Sequence, residues 1–287
     1  MSTDRIDLLT GGGIAGCRLG VLLVHGLGGT PVELSPLARR LRRDGARVLC
    51  CRLAGHCGTA DELGATRWHD WYASVEAALD RLAAEADIVV AGGLSMGALL
   101  AARLAREQPR RVAGLVMLAP TLRYDGWSIP RYSFLLRLLI HTPFGRRYRF
   151  VEQQPYGVKD ARIRARVQHA MFSGNSGDAG LAATPALAIR EMWRLVAEVR
   201  PRLGEIRQPS LVIHAREDDV AGLSNVFHLQ RQLGGRVEAL VLEDSYHLIT
   251  IDRQRDLVGQ RVASFLTGLA AAPSAAQPHP MPAVGHG

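Results

Sequence analysis

The sequence has almost no lysine: Lys159 is the single one among 35 basic residues, the rest being arginine. It has no run approaching the roughly 20 uncharged apolar residues that a bilayer-spanning helix needs, which argues against a transmembrane protein. The opening residues, MSTDRIDLL, lack both the basic start and the apolar stretch of a secretory signal, so a cytoplasmic location is the expectation. Cysteine is scarce as well. The four present, Cys17, Cys50, Cys51 and Cys57, do not form the separated pairs that zinc sites use. Without an export signal they do not read as a disulfide framework either. Adjacent Cys50 and Cys51 point to opposite faces of a strand, which leaves reduced thiols and no metal. No internal repeat is present.

What is there suffices for a large core: 287 residues, 47% hydrophobic and 22% charged. The formal charge of +8 is regional, because residues 121–205 hold 14 basic against 7 acidic side chains. Pieces such as FGRRYRF and ARIRARV come without a recognised nucleic-acid module, so they read as a solvated arginine-rich surface and not as a nucleic-acid face. A local field of that size could steer an anionic partner: an acyl carrier protein, coenzyme A or a phospholipid surface.

Short apolar runs at 21–24, 48–53, 88–91, 115–119, 211–214 and 237–242 predict buried strands of a largely parallel sheet. Helical spacing at 36–43, 68–84, 98–107, 224–233 and 253–269 separates most of them, which argues for an α/β fold. Runs at 6–9 and 14–19, joined by three glycines, predict an edge hairpin. Between Pro120 and Pro209 the alternation breaks into helical patterns with no good strand. That predicts a helical cap over 121–208, inserted into a core of 1–120 and 209–269. Residues 270–287, rich in alanine and proline, read as a disordered tail.

The stretch IVVAGGLSMGALLAARLA runs from a predicted strand through Ser95 into a predicted helix. Its GLSMG matches G-x-S-x-G, in which a strained strand-to-helix turn pushes the serine outward. The helix start offers free N–H groups to developing negative charge. A serine hydroxyl needs a base within reach and a carboxylate to orient that base. LVIHAREDDVAG places Asp218 just past a strand, with Asp219 the alternative acid, and DSYHLITID places His247 past the next strand. Ser, Asp, His is the chain order this kind of fold uses.

With these residues, over roughly 18–269, the chain resembles the α/β-hydrolase superfamily, specifically its small carboxylesterases and monoacylglycerol-lipase-like members. VLLVHGLGGTP, RLAGHCGT, GLSMG, HAREDD and YHLIT follow the order and spacing of that family. The resemblance implies an α/β-hydrolase fold with a mostly parallel central sheet flanked by helices. It implies Ser95, Asp218 and His247 as the triad, and the backbone N–H groups of Leu27 and Met96 as the oxyanion hole. It makes His25 and His56 loop-ordering residues. Two departures stand out: Cys57 replaces the second glycine of a Gly-His-Gly, and Ala98 follows Gly97 where a second glycine is commonest. His214, Trp68, Trp71 and Tyr72 read as structural.

The expected activity is cleavage of medium-chain acyl or monoacylglycerol-like esters through an acyl-enzyme, with no cofactor or metal. A thioesterase or acyltransferase working on acyl carrier protein or coenzyme A thioesters uses the same triad. A non-catalytic ligand receptor can keep the same constellation.

Overall fold

The computed structural model describes residues 17–130, 135–140, 142–172 and 176–271. Its strands are β1 (Leu19–Val24), β2 (Arg47–Cys51), β3 (Ile88–Leu94), β4 (Val112–Leu118), β5 (Arg149–Val151), β6 (Ala183–Pro185), β7 (Ser210–Ala215) and β8 (Val237–Leu242). The helices of the first half are α1 (Ser35–Arg43), α2 (Ala60–Ala65), α3 (Trp68–Ala83) and α4 (Met96–Glu107). After β4 come α5 (Leu136–Leu139), α6 (Pro143–Arg147), α7 (Ala161–Phe172), α8 (Ser176–Ala179) and α9 (Ala186–Val199). Helices α10 (Ser224–Gln232) and α11 (Arg255–Ala271) complete the chain.

Six strands form one parallel sheet in the order β2-β1-β3-β4-β7-β8. The inner strands are apolar without alternation because both faces are covered; all six residues of β1 and of β7 are buried. On one face α3, α4, α9 and α10 pack over a cluster that includes Trp71, Leu100, Met192 and Leu229. On the other, α1 and α11 close a second cluster around Leu41, Val116 and Val262. Cys50 lies in the second cluster and Cys51 in the first, as strand alternation requires.

The chain runs from β1 outward to β2 and then returns to β3 on the far side of β1. Loops leaving the C-terminal ends of β1 and β3 therefore diverge, opening a crevice of the kind in which open α/β sheets hold ligands.

Three features differ from the sequence expectation. The inserted segment contains strands: β5 and β6 pair antiparallel, Phe150 opposite Thr184, and at three residues each they are too short for periodicity to signal. Helix α9 lies in the core layer, with Ala188, Met192, Leu195 and Val199 among the α3 and α4 side chains; its apolar stripe marks a buried face without saying which partner buries it. Leu19 opens β1, parallel to its neighbours. Residues 6–16 of the predicted hairpin lie outside the described residues, as do 272–287 of the predicted tail, whereas Ala270 and Ala271, assigned to that tail, are the last residues of α11.

Candidate active site

Ser95 sits between β3 and α4 at φ 56°, ψ −114°, a region that costs a residue with a Cβ about 1–3 kcal/mol. Its N–H donates to Leu118 O at 2.8 Å, which ties the turn to β4. The flanking glycines have a steric cause. A Cβ on Gly93 would lie well inside contact distance of the Gly97 carbonyl, and one on Gly97 would do the same to Val24 O. Strand, turn and helix backbones touch there, and Ser95 is left half-buried at the sheet edge. Thr121 Oγ1 donates to Ala119 O at 3.2 Å, so the Ser95 hydroxyl donates to Thr121 Oγ1, 3.0 Å away.

Asp218 follows β7 and is 2% exposed. Its Oδ1 accepts the N–H groups of Val220 and Ala221, each at 2.8 Å. His247 follows β8 and is 6% exposed; its Nδ1 donates to Asp218 Oδ2 at 2.8 Å and lies 3.0 Å from Oδ1. With Nδ1 carrying the proton, Nε2 is the basic nitrogen. Burial disfavours charge on both groups, yet their mutual attraction and hydrogen bond outweigh it: Asp218 is lowered and His247 raised. Asp219 does different work. Its Oδ1 accepts the His247 backbone N–H at 3.2 Å and its Oδ2 the Gly157 N–H at 3.1 Å, so it holds the loop and leaves the ring to Asp218.

The loop after β1 runs against the turn: a Cβ at Gly26 would be 3.5 Å from Ser95 Cβ. Among the described residues neither the Leu27 nor the Met96 N–H makes a hydrogen bond. His25 Nδ1 donates to Gly26 O at 2.9 Å and Nε2 accepts from Leu53 N–H at 3.3 Å, which locks a neutral ring between two loops. Burial and the neighbouring His56 push its pKa down to about 3; burial takes His56 to about 4. Trp68, Trp71 and Tyr72 are core side chains, with Arg103 stacked 4.8 Å over Trp68 and 4.7 Å over Tyr72. His214 is buried, its Nε2 donating to Ala221 O at 2.6 Å.

This arrangement is matched by the family described as serine aminopeptidase, S33 (Hydrolase_4), over residues 17–254. The chain belongs to that family. It is 27% identical over 248 residues to a thermostable monoacylglycerol lipase from Bacillus sp. (strain H-257), covering 86% of this chain and 90% of that one. It is 25% identical over 251 residues to a carboxylesterase of Bacillus subtilis (strain 168), covering 87% and 92% respectively. A structure from work on LipS and LipT, two metagenome-derived lipolytic enzymes, superposes at TM-score 0.74 with 29% identity, over 88% of this chain and 94% of that one. The fold is that of the α/β hydrolases.

In this S33-family chain several residues near His247 carried no sequence signal. Glu152, just past β5, accepts from Thr184 Oγ1 at 3.1 Å; burial raises its pKa, with His247 and Asp219 both close enough to act on it. Asp252 is fully buried and accepts three backbone N–H groups: Lys159 at 2.9 Å, Asp160 at 2.9 Å and Tyr246 at 2.8 Å. Glu33 accepts the Gly26 N–H at 2.7 Å. These are single polar residues inside otherwise ordinary stretches, brought to the site only by loop packing. Glu33 alone had a hint, as the acidic residue three past Thr30 in a loop already marked for function.

Proposed function

We propose that the chain hydrolyses carboxylic esters through a Ser95 acyl-enzyme. The observation that carries the reading is the buried His247–Asp218 pair, with distances of 2.8 and 3.0 Å to a single ring nitrogen, at the same end of the parallel sheet as the strained Ser95 turn. Rotation about χ1 transfers the Ser95 hydroxyl from Thr121 to His247 Nε2 when substrate enters; catalytic hydrogen bonds commonly tighten only at that stage. Ser95 Oγ then bonds to the acyl carbon while its proton passes to His247. Collapse of the tetrahedral intermediate breaks the ester bond, and His247 returns the proton to the departing alcohol. A water molecule repeats the sequence and releases the acid. The Leu27 and Met96 N–H groups hold the oxyanion, and removing one such donor typically costs about 2.7–4 kcal/mol.

Residues 121–208 serve as the cap, rooted in the core by α9. Its exposed Leu135, Leu139 and Phe172 favour a medium-chain acyl group. Glu152 and Thr184 supply polar partners suited to an alcohol bearing further hydroxyls, in keeping with the monoacylglycerol lipase among the relatives. Exposed Arg146, Arg147, Arg162 and Arg166 favour a second reading, an anionic carrier or lipid surface docking at the cap. A cytoplasmic site of action is part of the proposal.

The test is labelling with a fluorophosphonate, followed by a panel of p-nitrophenyl esters, monoacylglycerols and acyl thioesters. Labelling lost in Ser95→Ala together with ester turnover is the expected result. Thioester turnover far above ester turnover would make the chain a thioesterase, and folded protein that does not label would make it a receptor.

A further inference from the structure

Glu33 belongs to none of the roles above, and its surroundings are unusual for a carboxylate. It lies in the short 3-10 turn Pro31–Leu34 and reaches back across the loop after β1, where Oε1 accepts the Gly26 N–H at 2.7 Å. The carboxylate packs directly on Gly29, where a Cβ would lie well inside contact distance of Oε2. The carboxylate thus touches both ends of the segment 26–29, whose middle carries the Leu27 N–H. Gly26 in turn abuts Ser95. His247, on the loop after β8, and Cys57, on the loop after β2, are the titratable groups that feel its charge.

We infer that Glu33 is a positioning residue: through the Gly26 N–H it sets the loop that presents the Leu27 N–H, and its negative charge supports the imidazolium of His247. The inference rests on the reading of Ser95 as nucleophile and His247 as base. Loss of water around the Glu33 carboxyl pushes its pKa up to about 7, against the opposing pull of the Gly26 N–H, His247 and the Thr30 N–H. For such a group stability is fully present at low pH and is lost as pH rises through the folded value. The fold therefore keeps a carboxylate that destabilises it increasingly as pH rises from 4.5 to about 7 and fully above that, as expected for a group retained for activity and not for stability.

The experiment compares wild type, Glu33→Gln, Glu33→Ala and Ser95→Ala. Gln keeps the acceptor for Gly26 and removes the charge, whereas Ala removes both. We expect Glu33→Ala to lower kcat by about 10- to 100-fold with KM within about twofold, as for a misplaced oxyanion donor. Glu33→Gln should lose less, within about fivefold, and melt above wild type at alkaline pH. Its acid limb of kcat/KM should move to lower pH, because His247 loses a neighbouring negative charge. Unchanged kcat in Glu33→Ala, or an unmoved acid limb in Glu33→Gln, overturns the inference. So does a melt in Glu33→Gln that falls together with kcat, which would make Glu33 a structural brace. If Glu33→Ala does not fold, Glu33→Gln carries the test alone. Wild type that labels no better than Ser95→Ala removes the nucleophile itself, a result read before any Glu33 variant is compared.

Discussion

Asp218 and Asp219 are adjacent in the chain and bind opposite parts of one histidine: Asp218 takes the ring at 2.8 Å and Asp219 the backbone N–H at 3.2 Å. Asp218→Asn puts an amide where the ring proton is accepted and upsets the tautomer, so kcat should fall by about 10⁴. Asp219→Asn keeps an oxygen acceptor, and its loss should stay within about tenfold, the cost of loosening one neutral hydrogen bond of about 1 kcal/mol. Steady-state kinetics decide it, and equal losses would reverse the assignment. His247 is raised above the ordinary histidine value of about 6.5 despite its burial. Only the neutral ring accepts the Ser95 proton, so kcat/KM should fall as pH drops through a pKa above that value. An acid limb well below it would contradict the Asp218 pairing. Both acids could be read from HAREDD as candidates, but choosing between them took the loop geometry.

Between elements, the segment 156–160 ahead of α7 is strapped to the loop that carries His247. Leu248 N–H donates to Gly157 O at 2.8 Å, and Gly157 N–H donates to Asp219 Oδ2 at 3.1 Å. Gly157 takes φ +69°, and a Cβ there would stand 3.3 Å from that of His247. Asp252 completes the strap with its three accepted N–H groups. Asp252→Ala should orphan these donors, at about 1–3 kcal/mol for each that water cannot reach. Urea melts should show a loss of several kcal/mol, and kcat should fall with it because the His247 loop loosens. A melt within about 0.5 kcal/mol of wild type would mean that the strap is ornamental. Elements with long periodic patterns, such as α3 and α4, were legible nearly to the residue. The pieces β5, β6 and α2 were not, since three to six residues carry too little periodicity to separate strand, helix and loop.

Over the whole molecule, one sheet and two faces place the ends of β1, β3, β7 and β8 on a single edge, where their loops meet. The excess positive charge falls within residues 121–205, and part of it is neutralised by pairing: Arg149 with Asp61 at 2.7 Å and Arg202 with Glu198 at 2.9 Å. Attraction of an anionic substrate to the unpaired remainder should weaken as salt shortens the Debye length from about 30 Å at 0.01 M to about 8 Å at 0.15 M. Stopped-flow or steady-state kcat/KM should therefore fall several-fold for an acyl-coenzyme A or anionic micelle and stay flat for a neutral ester. A flat response for both removes the anionic docking surface. Strand and helix order and the GLSMG turn were written in local composition, because burial on both faces of a parallel sheet and crowding at the turn act through residues close in sequence. The partnering of His247 with Asp218 and not Asp219, the seat of α9 in the core, and the gathering of Glu33, Glu152 and Asp252 around the site were decided only by tertiary structure. Apart from the Glu33–Gly26 and Asp252–Tyr246 bonds, which stay within one loop, these depend on contacts between segments tens to hundreds of residues apart, and no local pattern specifies which backbone N–H a buried carboxylate will meet.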